Sequence, residues 1–393
     1  MNPITPALRA RVFHALGLAI AAGCQPAKVV IDYDSGAYTP DDTGGTGTIP
    51  DGYFDCGEVP DLTAEMLASG YVESALLCQA APDDSECPSV ESFQATEVLY
   101  ENFDVASTGA GYDAWASCGP DASRLDACCY EVSVSQWVEG RPFTVAGRAR
   151  TAGPGEAAGW VDAQEVACES LCEADARWLG LKWSQSARHE HASVASFARA
   201  ALELLGLGAP ADLVHATTLA MADEVDHARR CLGVARGLDA EVPGIGALPV
   251  EGSLQAAPTP RSVLRAVLRE GAVGETLAAS EASEAARLCA DPAIRAVLAR
   301  VAEDESRHAA LAWRTARWLL LAHPELSDEL QRVEMPRVSP DPEGLPSVAV
   351  RNAHGVLSAE QRSRVLAETE ALVIRPALQA LLGREPAAVA APA

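Results

Sequence analysis

The sequence predicts a mainly α-helical protein. At its centre is a four-helix bundle with one long crossover, preceded by a small cystine-rich α+β unit and followed by one extra helix. Three observations lead there. Between about Trp178 and Pro324 one arrangement occurs twice: Glu190 followed by Glu224-Val225-Asp226-His227, then Glu275 followed by Glu305-Ser306-Arg307-His308. Apolar residues recur at three- and four-residue steps through the four segments that carry these groups, which is the period of one helix face. A stretch heavy in Gly, Pro and Ala, from Leu238 to Pro260, separates the second segment from the third. At ~3.3 Å per residue it can run the length of a helix, which makes the second and third helices parallel.

The seams give the acids their meaning. The first reads Trp183, Ala187, Glu190, Val194, Phe197, Ala201, Leu204, and the second Leu213, Thr217, Ala220, Glu224, His227, Cys231, Val234. The third reads Leu264, Leu268, Gly271, Glu275, Ala278, Ala282, Ala286, Cys289, and the fourth Ile294, Leu298, Val301, Glu305, His308, Ala312, Ala316, Leu319. Each acid interrupts an apolar face, where an unpaired charge would cost several kcal/mol. Glu203 and Glu284 fall opposite their seams and are expected in solvent. Residues three apart share a helix face, so Glu224 with His227, and Glu305 with His308, can each present an oxygen and a nitrogen to one point. A single Glu-x-x-His is a common surface pair. Two on apolar seams, each after a seam Glu, predict a site for two cations, with Glu190, Glu224, His227, Glu275, Glu305 and His308 as ligands. Their four carboxylates bring a charge of about −4, which two divalent ions neutralise.

On these residues the region 175–324 resembles the ferritin-like di-iron carboxylate superfamily, which includes ferritins, rubrerythrins, ribonucleotide reductase small subunits and arylamine N-oxygenases. Asp304-Glu305-Ser306-Arg307-His308 fits the Asp/Glu-Glu-x-Arg-His form of several oxygen-activating members, and Asp223 precedes Glu224 in the same way. The resemblance implies two Fe ions, with Mn as the alternative, and a reaction with O2 or peroxide on an unknown substrate or reductant. It also makes Asp223 and Asp304 candidates for accepting the N–H of a ligating histidine. Arylamine N-oxygenases carry a further histidine one turn before the last Glu-x-x-His, where this chain has Val301. The chain has no Cys-x-x-Cys for a rubredoxin-like iron.

Outside this region, residues 1–23 have the layout of a secretory signal: Arg9 and Arg11, an apolar run from Val12, then Ala21-Ala22-Gly23-Cys24. The run is too short to span a bilayer. Small residues before a cysteine resemble a bacterial lipobox, which implies lipidation at Cys24 and a lipid-anchored place in the bacterial cell envelope. An uncleaved helix is the alternative. Residues 24–55, with Thr43-Gly44-Gly45-Thr46-Gly47, read as a flexible linker.

Residues 56–174 form the cysteine-rich unit. Cys56, Cys78, Cys87, Cys118, Cys128, Cys129, Cys168 and Cys172 are disulfide candidates, up to four bonds, whose pairing sequence cannot choose. Within it Leu62 to Cys78 and Asp162 to Cys172 are predicted as helices. Tyr130 to Val138 and Pro142 to Ala146 are predicted as a hairpin around Glu139-Gly140-Arg141. Cys231 and Cys289, far from level on parallel helices, are expected as buried thiols. After position 324 a Pro-rich linker leads to a helix from about Ser358 to Leu382 and a disordered tail.

The formal charge of −25 argues against nucleic acid and anionic lipid surfaces as partners, leaving the membrane to the anchor alone. Three functions are expected to compete: an O2- or peroxide-reactive di-iron oxidoreductase, iron binding or ferroxidation without cage storage, and a non-enzymatic envelope module on a structural bundle.

Overall fold

The structure, a computed structural model, describes residues 6–17, parts of 54–155 and nearly all of 159–383. Cys24, nearly all of the linker around it and the tail 384–393 lie outside the described residues.

Four long helical runs make the body. The first, α2 (Glu173–Gly206), is capped by the sulfur of Cys172, which accepts from the Asp175 N–H. It ends in a turn where Gly208 adopts φ 68°, a conformation that suits a residue without a Cβ. The second, α3 (Ala211–Leu238), follows at once after Pro210. The third has three parts: α4 (Pro260–Ala266) with a Thr259–Ser262 capping box, a π-helical segment (Val267–Glu275), and α5 (Thr276–Leu288). The fourth, α6 (Pro292–Ala322), starts where Asp291 accepts from the Ile294 N–H.

Short turns make α2 and α3, and α5 and α6, antiparallel neighbours. Contacts between α3 and α6 pair His227 with Asp304 and Asp223 with His308, so these two are also antiparallel. The second and third runs are therefore parallel, as the crossover length predicts.

Beyond α6 come a 3-10 segment (Pro324–Arg332) and α7 (Val348–Ala353). The last helical run is α8 (Ala359–Thr369), a π segment (Glu370–Ile374) and α9 (Arg375–Leu381). At the other end of the chain α1 (Pro6–Ala15) packs on α6, with Leu8 and Val12 buried beside Ala316 and Leu319, and Arg11 paired with Glu303. No helix among the described residues is long and apolar enough to cross a membrane.

The cystine-containing unit is a three-stranded antiparallel sheet of order β1-β3-β2, from β1 (Tyr71–Ala80), β2 (Gly111–Cys118) and β3 (Ala127–Trp137). Three disulfides staple it: Cys56–Cys118, Cys78–Cys129 and Cys87–Cys128. Two short ribbons follow, β4 (Thr144–Val145) with β5 (Arg148–Ala149), and β6 (Pro154–Gly155) with β7 (Gly244–Ile245), the second tying the unit to the crossover.

Several expectations are corrected. The stretch predicted as a helix from Leu62 to Cys78 is extended over Tyr71–Ala80, because pairing with β3 and the Cys78–Cys129 bond override local preference. The predicted hairpin around Glu139-Gly140-Arg141 does not form. Both edges of β3 are already taken by β1 and β2, so Thr144–Val145 turns away and pairs with Arg148–Ala149.

Among the described residues from Asp162 to Cys172 none is helical. Its backbone is held by α3 and the start of α6: Asp162 N–H donates to Arg229 O at 3.0 Å, and Ala167 N–H to Asp291 Oδ2 at 2.8 Å. Gly233 makes room for it, since a Cβ there would come 1.7 Å from Asp162 O. Cys168 and Cys172 are free, and Cys172 serves as the α2 cap instead. Cys231 and Cys289 are buried thiols in one core, as expected.

Glu284 is buried, not solvated, and is paired with Arg287 and with Arg364 of α8. A covering helix explains the burial: α8 packs over the outer face of α5, where Arg362 reaches Glu281 at 3.3 Å and Arg364 reaches Glu284 at 3.5 Å. Ala278, Ala282 and Ala286 are half-buried, while Leu277, Ala279 and Ser280 are buried.

Two apolar cores divide the helical body along its length. One holds Leu179, Trp183, Val234 and Ile294, and the other Leu264, Leu268, Trp313 and Ala316. On α2 and α3 a third cluster, Phe197, Leu204, Leu213 and Ala220, takes the end away from Trp183 and Val234, and the predicted ligands lie among these clusters.

Candidate metal centre

All six predicted ligands converge in one layer of the helical body. Glu190, Glu224, His227 and Glu305 each place one donor atom within 4.8 Å of the others, and Glu275, Glu305 and His308 do the same. All six are buried. The histidines flanking Glu190 belong to neither group: burial pushes His189 down to about 3, and His191 meets Trp160 edge-on at 4.5 Å.

Two carboxylates span the layer. Glu224 Oε2 lies 3.8 Å from His227 Nδ1 while its Oε1 lies 3.0 Å from His308 Nδ1. Glu305 Oε1 lies 3.3 Å from His227 Nδ1 and its Oε2 lies 3.5 Å from His308 Nδ1. Each therefore offers one oxygen to either histidine, the disposition of a bridging carboxylate. Glu190 stands on the His227 side, with Oε2 at 3.7 Å, and Glu275 completes the His308 side.

The outer nitrogens of the histidines fix which atom faces the cluster. His227 Nε2 meets Asp304 Oδ2 at 3.1 Å, and His308 Nε2 meets Asp223 Oδ2 at 3.2 Å. An ionised carboxylate only accepts, so Nε2 carries the proton and the Nδ1 lone pair points inward. The two aspartates cross over: the one beside Glu305 on α6 serves the histidine of α3, and the one beside Glu224 on α3 serves that of α6.

Arg300 Nε (2.8 Å) and Arg307 Nη2 (2.6 Å) hold Asp304, and Arg307 Nη2 also reaches Asp223 at 2.8 Å. Asp223 is held at about 2: burial works against this, but hydrogen bonds from His308 and Arg307 outweigh it. The role of these arginines was not assigned from sequence, although Arg300 and Arg307 stand four before and three after Asp304, the spacing of a helical ion pair.

The cluster has a charge problem that a cation solves. Glu190 Oε2, Glu224 Oε1, both oxygens of Glu275 and of Glu305, and both Nδ1 atoms have no hydrogen-bond partner. Burial pushes the Glu190 and Glu275 carboxyls well above their usual range. His227 and His308 are also raised well above their ordinary value, because the surrounding carboxylates outweigh the burial that opposes it. Without metal, protons must sit where positive charge is wanted. Hard carboxylate oxygens with imidazole nitrogen suit a divalent first-row ion, and the buried Glu/His cluster could hold one or more.

Comparison with known proteins returns no match: no protein-family model, curated protein or solved structure is significantly similar to the chain.

Proposed function

We propose that the cluster is a dinuclear metal centre in a ferritin-like four-helix bundle with one long crossover. In this reading Glu190, Glu224, His227, Glu275, Glu305 and His308 hold two ions, iron in the first place and manganese as the alternative. The observation that carries it is the pair of spanning carboxylates, Glu224 and Glu305, each with an oxygen toward both inward nitrogens. One cation would need only one side of that arrangement. The parallel second and third runs and the repeated ligand pattern also support it.

Two bound iron ions would supply one- and two-electron chemistry with O2 or peroxide, which makes the protein an oxidoreductase on an unknown substrate. The chain's own contribution is positional. Asp304 and Asp223 hold the histidine rings and keep Nδ1 free. The apolar clusters around the ligands exclude water from them. The three disulfides accord with an oxidising compartment, and together with the leader-like start and Cys24 they support an anchored place in the cell envelope.

Metal analysis of the anaerobically reconstituted full chain tests the reading. Two ions per chain are expected, with a change in the near-ultraviolet spectrum when O2 is added. Glu305→Ala, which removes a ligand shared by both sides, is expected to abolish paired binding, while Glu190→Ala leaves one side intact. Binding of more than two irons per chain would favour iron storage. Unchanged stoichiometry in Glu305→Ala would sink the dinuclear assignment.

A further inference from the structure

The two sides of the cluster are not alike. Glu190, Glu224, His227 and Glu305 bring four donor atoms within 4.8 Å of one another, whereas the set that closes around His308 has three, from Glu275, Glu305 and His308. Glu224 reaches His308 Nδ1 at 3.0 Å but does not join that set. Glu190 is the most exposed of the six ligands at 7%, which bears on how an ion enters rather than on how many donors then hold it.

The aspartates that hold the histidines differ in the same direction. Asp304, behind His227, has a fully buried side chain and two arginines, Arg300 at 2.8 Å and Arg307 at 2.6 Å. Asp223, behind His308, has a partly exposed side chain and shares Arg307 at 2.8 Å, with Arg300 out at 3.8 Å. The cause is in the sequence. Arg307 stands three residues after Asp304, but the matching position after Asp223 is Asp226, which turns to Arg230 at 2.7 Å. An arginine fork fixes a carboxylate, and a fixed carboxylate holds its histidine ring in place. Glu275 also arrives on the π segment, whereas Glu190 stands in a continuous α-helix.

We propose that the two metal positions are unequal. The His227 side takes the first ion and holds it firmly, with Arg300 as a positioning residue that acts through Asp304. The His308 side takes a second, exchangeable ion with room left for an outside ligand. The proposal rests on the dinuclear reading and deepens it by naming the side that is open to O2 or peroxide. Zinc sites show the same division: four protein donors close a structural ion, and three leave a reactive one open to water or substrate.

Co(II) is the probe, titrated anaerobically into the full, disulfide-intact, metal-free chain and followed by calorimetry and visible absorption. Two steps are expected, the first at least about tenfold tighter, within the range that such supporting contacts carry. His308→Ala should keep the tight step and lose the weak one, and His227→Ala should lose the tight one. Arg300→Gln should weaken the first step by about threefold to tenfold and the second less, with part of the loss recovered in Arg300→Lys. Azide should change the cobalt spectrum of the two-ion form and leave that of the one-ion form as it is.

The proposal is overturned by two equal steps, by loss of the tight step in a folded His308→Ala chain, or by azide acting equally on the one-ion form. Should either histidine variant lose its helical circular dichroism, Arg300→Gln decides, since Arg300 is half-exposed and is none of the six ligands. An unchanged first step there overturns the proposal. The two readings fail differently. Uptake of a single ion at saturation removes the dinuclear centre, while two ions taken up in equal steps remove the inequality alone.

Discussion

In the proposed centre Asp304 and Asp223 would act on a bound metal through the histidines they hold. Each fixes the Nε2 proton of its histidine and raises the basicity of the inward nitrogen, and such partners typically carry about 10–100-fold in metal affinity. Asp304→Asn, which keeps an acceptor but loses the charge that Arg300 and Arg307 complement, is expected to weaken binding by about tenfold at the His227 side. Competition with a chromophoric chelator measures this, and unchanged affinity would show that the contact is incidental. The raised histidines make a second expectation. A group raised above its ordinary value keeps its proton to higher pH, and metal must displace that proton. Metal affinity should therefore climb steadily from pH 5 to about 8, with net proton release on binding seen as buffer-dependent heat. A flat profile would mean that His227 and His308 are not ligands.

At the scale of elements, the π segment is what aims Glu275. π-helical turns in longer helices occur often at functional sites, and this one holds Gly271 against α6, where an added Cβ would come 2.7 Å from Ala312 Cβ. Gly271→Ala should destabilise by about 1–3 kcal/mol through overpacking. Ala312→Gly in the same chain should restore part of the loss, and thermal unfolding of the two single variants and the double reads the coupling. Additive losses would show that the two positions do not touch.

The 3-10 segment is tied to the start of α4 through Glu329. Hydrogen bonds from Arg265, then Arg261, hold its carboxyl at about 2, although its burial opposes this. For a carboxyl lowered in the fold, stability is present above its unfolded value of about 4.3 and is lost as pH falls toward the folded one. Glu329→Gln should therefore be less stable than the parent at pH 6, with the difference shrinking between about pH 4 and about pH 2. A difference independent of pH would argue against an ionic cause.

For the whole molecule, three disulfides hold the sheet. Cys78 and Cys129 close a loop of 51 residues, which in the chain-entropy model is worth about 4 kcal/mol. Reduction, or Cys78→Ala with Cys129→Ala, should melt the sheet at lower temperature while the helical signal persists, since both large cores are built mainly from the helices. Loss of both signals together would show that the helices depend on the small unit. Arg141 already gives them one buried contact with it.

What could be read ahead of the structure follows the range of the forces involved. The helical period is local, so the four seams and the six side chains on them were visible as pattern. Of the sheet only the strand from Tyr130 to Val138 was visible, because β1 and β2 both pair with β3 across long stretches of chain and local preference did not reveal which edge goes where. Nor was the burial of Glu284, which follows from α8 covering the outer face of α5, a contact between elements far apart in the chain.

By itself, then, the amino-acid order determined which side chains share a helix face, since that depends only on backbone geometry. The tertiary structure decided which faces meet. It placed Asp304 on His227 and Asp223 on His308, left Cys168 and Cys172 unbonded, and brought Arg141 to Phe197. Those partners depend on the register of packed elements far apart in the chain, and register is settled by burial and hydrogen bonding of the whole molecule.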